Sequence, residues 1–181
     1  MQEQMILEAI GGSDKACREL YELWFPKAYR AAKAICGSRA SAEDAVQEAL
    51  IRFWRAMPRL RDLTAAEGYF MRTVANEARR IYAQRKDRLH ELTDRMPEPV
   101  ADSAEAEAGS RERARALVAA VDRLPEKLRL AVRLHYFGGF TEAKTAELLG
   151  ISAASAKMRL SRARARLRQQ LEKSGYDYFG G

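Results

Sequence analysis

The stretch from Glu91 to Ser110, ELTDRMPEPVADSAEAEAGS, sets the first limit on what this chain can fold into. It holds two prolines and six acidic residues against one arginine, and after Met96 it offers no large apolar residue at helical spacing. Such a segment buries too little apolar surface to offset the entropy of ordering it, so it reads as a flexible linker with room for a helix to begin near its end. Two compact halves therefore fit better than one continuous core. The 181 residues, 47% of them apolar, divide into two small units, expected over residues 1–90 and 111–181 with the acidic joint at 91–110.

Both halves read as helical. Glycine and proline are sparse and fall at plausible breaks (Gly11-Gly12, Pro26, Gly37, Pro58, Gly138-Gly139, Gly150), and no segment alternates like a strand. In the first half, Leu20, Leu23, Trp24, Ala28, Ala31 and Ile35 mark one amphipathic helix. Ser41 with Asp44 resembles a capping box, and Val46, Ala49, Leu50 and Phe53 follow on one face, leaving Asp44, Gln47, Glu48 and Arg52 outward. Thr64 with Glu67 opens a further helix whose stripe is Phe70, Val74, Ala78 and Ile81; Arg72, Asn76, Arg79 and Arg80 lie off it. In the second half, Leu117, Val121 and Leu124 precede Pro125, and Leu128, Ala131, Val132 and His135 follow. A short helix from Thr141 to Leu149 meets Gly150, Ser152 caps the next, and Ala156, Leu160, Ala163 and Leu167 form its buried stripe. Helix, glycine turn, helix is the helix-turn-helix arrangement. The fold class expected is all-α: two helical domains on a flexible acidic linker.

Charge narrows the partners. Lys plus Arg against Asp plus Glu runs 16 to 12 over residues 1–90, 1 to 6 over 91–110 and 15 to 7 over 111–181, within a net +7. Two basic blocks favour nucleic acid, although an anionic membrane surface or solubility satisfies charge alone. No run approaches the roughly 18 apolar residues of a membrane span, and MQEQMILEAIGGSDK lacks a basic segment leading into an apolar one, so a soluble cytoplasmic protein is expected. Cys17 and Cys36 read as buried free thiols, and His90 and His135 as structural. No clustered nucleophile or carboxylate metal site stands out, so no enzymatic activity, metal or cofactor is expected.

The richest signal lies between Lys157 and Arg168, where six basic residues occur with no acid. Arginine can make two parallel hydrogen bonds to a guanine edge while neighbouring cations hold phosphates, as a groove-bound helix requires. Arg164, Arg166 and Arg168 lie farther along, where phosphate contact or solvation suits them better. In the first half, Phe53, Trp54, Tyr69, Phe70 and Tyr82 interleave with arginines, a mixture that suits an unpaired strand but also a core. Phe53 and Phe70 belong to the core; Trp54 and Tyr69 fit either role.

SAEDAVQEALIRFWRAM (residues 41–57) resembles the polymerase-docking region of the sigma-70 family, and LPEKLRLAVRLHYFGGFTEAKTAELLGISAASAKMRLSRARARLRQQL (124–171) resembles that family's promoter-reading C-terminal domain. Their order, with an acidic joint between, is similar to the extracytoplasmic-function group. The resemblance implies a sigma factor that directs core RNA polymerase to promoters and assists their melting. It implies polymerase contacts by Asp44, Gln47 and Glu48 with Phe53 or Trp54 behind them. It places Arg59, Arg61, Asp62, Tyr69, Asn76, Arg79 and Arg80 at the minus-ten element, the loop from Arg59 to Asp62 capturing a flipped base. It assigns Lys157, Met158, Ser161 and Arg162 to the minus-thirty-five groove and Arg159 to a phosphate. An anti-sigma partner, and a linker threading toward the polymerase RNA exit path, are implied as well.

Some positions depart from the family. Arg80 stands where a small polar or acidic residue is usual, Lys144-Thr145-Ala146 replaces Glu-Ile-Ala, and Ser155-Ala156-Lys157-Met158 replaces Thr-Val-Lys-Ser. From the residues alone, a free-standing helix-turn-helix regulator remains the main rival reading.

Overall fold

The computed structural model describes residues 2–91 and 107–173, with side chains for 2–85 and 112–173. Most of the acidic joint, the His90 side chain and the tail from Ser174 lie outside these. Every regular element among the described residues is helical, and the chain divides into two compact units.

The first unit is built from α1 (Gln2–Ile10), α2 (Asp14–Cys36), α3 (Arg39–Ala56) and α4 (Ala66–Glu91). Ser13 starts α2 by accepting the Ala16 N–H on its hydroxyl at 3.3 Å. Pro26, expected as a break, sits inside α2. Both Pro26 and Glu22 are exposed, so water can take the Glu22 carbonyl that a proline leaves without its donor. Gly37, at φ +77°, ends α2. Ser38 then caps α3 through the Ser41 N–H at 3.3 Å, one turn earlier than the expected cap at Ser41, which is buried within the helix. Thr64 likewise does not cap α4; its hydroxyl turns back to Asp62, and α4 begins at Ala66.

The core follows the predicted stripes except that Leu50 and Ile81 are only half-buried and Leu23 is exposed. Leu20, Trp24, Ala28, Ala31 and Ile35 are buried, whereas Leu23, about 100° round the helix from Trp24, is 56% exposed. Trp24, Phe53 and Phe70 meet at the centre, with ring centroids 5.3 Å (Trp24–Phe53), 5.6 Å (Trp24–Phe70) and 5.5 Å (Phe53–Phe70) apart. Each such pair contributes about 0.5–1.5 kcal/mol beyond its buried area. Cys17 and Cys36 are free but half-buried rather than buried; Cys36 Sγ points to the Ala78 carbonyl at 3.5 Å.

After the joint come α5 (Glu107–Asp122), α6 (Glu126–Val132) with a π turn over Arg133–Phe137, α7 (Glu142–Leu149) and α8 (Ala153–Lys173). The break before α6 is stitched by two buried arginines one turn apart. Arg129 Nη1 donates to the Asp122 and Leu124 carbonyls at 3.1 and 3.2 Å, and the Arg133 guanidinium pairs with the Asp122 carboxylate. The two Arg129 bonds satisfy carbonyls at and just past the end of α5 that would otherwise be left open. At the other end of α6, a Cβ on Gly138 would lie 2.6 Å from the Leu134 carbonyl oxygen and 2.8 Å from the Phe140 ring, so only glycine fits. His135 Nδ1 lies 2.7 Å from the Phe140 carbonyl oxygen, a structural role as expected.

Candidate nucleic-acid and protein interfaces

The helix-turn-helix is set by backbone geometry at both ends of its turn. Thr141 caps α7 through the Lys144 N–H at 3.1 Å. At the other end, Gly150 takes φ +64°, and the Gly150 and Ile151 N–H groups close back on the Glu147 and Ala146 carbonyls at 3.1 and 3.0 Å. That pair of bonds is the Schellman pattern, which needs the left-handed residue that glycine supplies. Ser152 Oγ then accepts the Ser155 N–H at 3.2 Å and starts α8.

On α8, Ala156, Leu160, Ala163, Leu167 and Leu171 face inward. Lys157, Met158, Ser161 and Arg162 are exposed, while Arg159 is half-buried on the flank. Helical spacing puts Ala154, Met158, Ser161 and Ala165 along the middle of the outward face, with Arg159, Arg162 and Arg166 on one side and Lys157, Arg164 and Arg168 on the other. Small or unbranched side chains down the centre let the backbone approach a groove floor; of the flanking cations, Lys157 and Arg162 can reach base edges while the others suit the two phosphate walls. Arg164 Nη1 also donates to the Tyr136 hydroxyl at 3.3 Å.

In the first unit, α3 presents Asp44, Gln47 and Glu48 on its exposed face. Phe53, also predicted for a binding surface, is fully buried and cannot touch a partner; it positions the helix from behind. Trp54 is half-buried against it, centroids 5.5 Å apart, and remains available at one edge. Ile51, unassigned from the sequence, is 46% exposed one turn from Gln47 and Glu48 and adds an apolar contact to this ridge. Its signal was present as an isoleucine off the buried stripe.

The face of α4 gathers Tyr69, Arg72, Thr73, Asn76, Arg79 and Arg80 at i+3, i+4 and i+7 spacing. Asn76 and Arg80 are exposed, Arg79 is half-buried, and Tyr69 leans its ring toward Phe53 with centroids 6.3 Å apart. Arg59, Arg61 and Asp62 are exposed in the turn before this helix. The Asp62 carboxylate accepts the Thr64 hydroxyl at 2.5 Å and its N–H at 2.9 Å, and these bonds, the hydroxyl first, hold its pKa below the ordinary value. Asp62 therefore shapes the loop before it can contact anything else. Glu77, not singled out from the sequence, lies buried beside this face and pairs with Arg52 and Arg80. The Glu77–Arg80 spacing of three was visible; the burial was not.

Among the described residues no group of three or more His, Cys, Asp or Glu could hold a metal ion, and no helix is long and apolar enough to cross a membrane.

The model described as Sigma-70 region 2 matches residues 20–88, and that described as Sigma-70, region 4 matches residues 114–167. The RNA polymerase sigma-E factor of Streptomyces avermitilis is 32% identical over 151 residues, 82% of this chain and 80% of its own length. The ECF RNA polymerase sigma factor SigE of Mycolicibacterium smegmatis is 31% identical over 159 residues, 86% of this chain and 61% of its own length. In solved structures, the sigma factor RpoE of Bartonella quintana, in complex with the anti-sigma factor NepR, shares the fold with a TM-score of 0.56 at 21% identity, covering 86% of this chain and 96% of that one. With both region models matched in order and relatives of this identity and coverage, the chain belongs to the sigma-70 family of RNA polymerase sigma factors, in its extracytoplasmic-function group.

Proposed function

We propose that this sigma factor brings core RNA polymerase to a promoter by three separate surfaces. The α3 ridge of Asp44, Gln47, Glu48 and Ile51, with the edge of Trp54, docks on polymerase. Helix α8 enters the major groove of the minus-thirty-five element, Arg162 and Lys157 reaching base edges beside Met158 and Ser161, and Arg159 holding a phosphate. The α4 face, with Arg59 and Arg61 in the loop that Asp62 shapes, receives the opened minus-ten strand. The chain catalyses nothing itself and works where polymerase works, in the cytoplasm.

The observation that carries this reading is α8: a capped helix after a glycine turn, its apolar stripe buried, with six cations and no acid between Lys157 and Arg168. A partner that silences the protein would cover the α3 ridge, because an anti-sigma factor laid there excludes polymerase directly. The test is run-off transcription on a genomic library by core polymerase with and without the chain. New start sites are the expected result; their complete absence would refute the assignment.

A further inference from the structure

Glu77 is the one buried acid among the described residues, 4% exposed, and it stands beside the face assigned to an anionic strand. Removing a carboxylate from water is costly unless it is paired. Here each oxygen is paired to a different helix: Oε1 lies 3.0 Å from Arg52 Nε of α3 in an ion pair, and Oε2 accepts from Arg80 Nε of α4 at 2.8 Å. The Arg80 side chain is 44% exposed, and its two outer amino groups lie beyond this ion pair. Arg80 follows Asn76 by four residues, so both occupy one face of α4.

By charge alone an acid here opposes the binding of a polyanion. Its effect on Arg80 runs the other way. A guanidinium already held through Nε loses less freedom when its outer amino groups meet a phosphate, and parallel N–H donors match phosphate geometry. One carboxylate between two guanidiniums still leaves the junction with a net positive charge. We propose that Glu77 is a positioning residue that holds the Arg80 guanidinium beside Asn76 to grip a backbone phosphate of the melted strand, and through Arg52 ties that grip to the docking helix. The inference rests on the reading that α4 faces this strand.

The test uses holoenzyme reconstituted from the full chain and core polymerase. Its probe is duplex DNA from a start site found by the run-off screen, with the minus-ten element kept single-stranded by mismatches. Glu77→Gln removes a negative charge, so charge alone predicts tighter binding. Positioning predicts binding weaker by about tenfold, the scale of one hydrogen bond to a charged group. Arg80→Ala lowers the slope of log affinity against log salt by about 0.7, one single-strand phosphate, and in its background Glu77→Gln has no further effect. Binding by Glu77→Gln that equals or exceeds the unmodified chain overturns the proposal, as does a loss undiminished in the Arg80→Ala background. Competition for core polymerase checks folding. Should Glu77→Gln fail that check, Arg80→Lys carries the test: it keeps the charge, loses the paired donors and binds more weakly, and unchanged affinity overturns the proposal. Asn76→Ala separates the two levels. If it and Arg80→Ala both bind normally, the α4 reading itself falls; if Asn76→Ala alone weakens binding, only the role of Glu77 and Arg80 does.

Discussion

Thr145 is fully buried in α7, and its hydroxyl has no hydrogen-bond partner. The corresponding family position usually carries isoleucine, so the orphan hydroxyl is a cost that this chain carries for no visible structural return. Thr145→Val keeps the shape and removes the polar atom. It should raise stability by about 1 kcal/mol, seen as a higher midpoint in thermal or urea unfolding; an unchanged or lower midpoint contradicts the burial argument. Asp62 makes a second claim at this scale. Its lowered pKa means that the Thr64 bonds favour the charged carboxylate. Their contribution is therefore complete above the ordinary aspartate range and disappears as pH falls through the lowered folded value, with no effect near neutrality. Thr64→Val removes the larger of the two donors, and the Asp62 midpoint in a carboxyl NMR titration should move up, part of the way because the backbone N–H remains. A midpoint that stays in place would show that the hydroxyl bond does not form in solution.

At the scale of elements, α8 was the most legible from sequence, because Gly150, Ser152 and the Ala156, Leu160, Ala163, Leu167 stripe are all local signals that agree. On the proposed reading, the division of labour along it follows from position. Arg162→Ala should cost about 1–3 kcal/mol of discrimination between the promoter and an altered minus-thirty-five sequence. Arg166→Ala should instead lower affinity for all sequences and flatten the salt slope by about 0.9, one duplex phosphate. Equal losses on promoter and random DNA for both variants would remove the distinction. Elsewhere the local signals were degenerate or absent. Ser38 and Ser41 are one turn apart and either could start α3; the left-handed Gly37 decides for Ser38, since the chain re-enters a helix immediately after it. Pro26 reads as a break because sequence does not reveal that Pro26 and Glu22 lie on the exposed side of α2. Phe53 served as both core and contact in the pattern, and packing against Trp24 and Phe70 assigns it wholly to the core. Glu77 was invisible because its burial depends on Arg52 arriving from another helix.

For the molecule as a whole, neither unit needs to bind DNA tightly on the proposed reading. Joining two weak contacts makes the second one intramolecular, with an effective concentration in the millimolar range for a short linker and an avidity gain of about 10²–10⁴. The 15 residues from 92 to 106 between the described parts can extend over no more than roughly 50 Å. On the proposed reading, that limit is what keeps the second DNA contact intramolecular. Supplying residues 1–91 and 107–181 as separate chains to core polymerase abolishes this linkage. Promoter-specific run-off should then collapse at concentrations where the intact chain is saturating, and return only as the 107–181 chain approaches millimolar levels. Full activity from the split chains at the concentration that suffices for the intact one would mean that polymerase recruits each unit independently, and that the covalent joint contributes nothing to promoter binding.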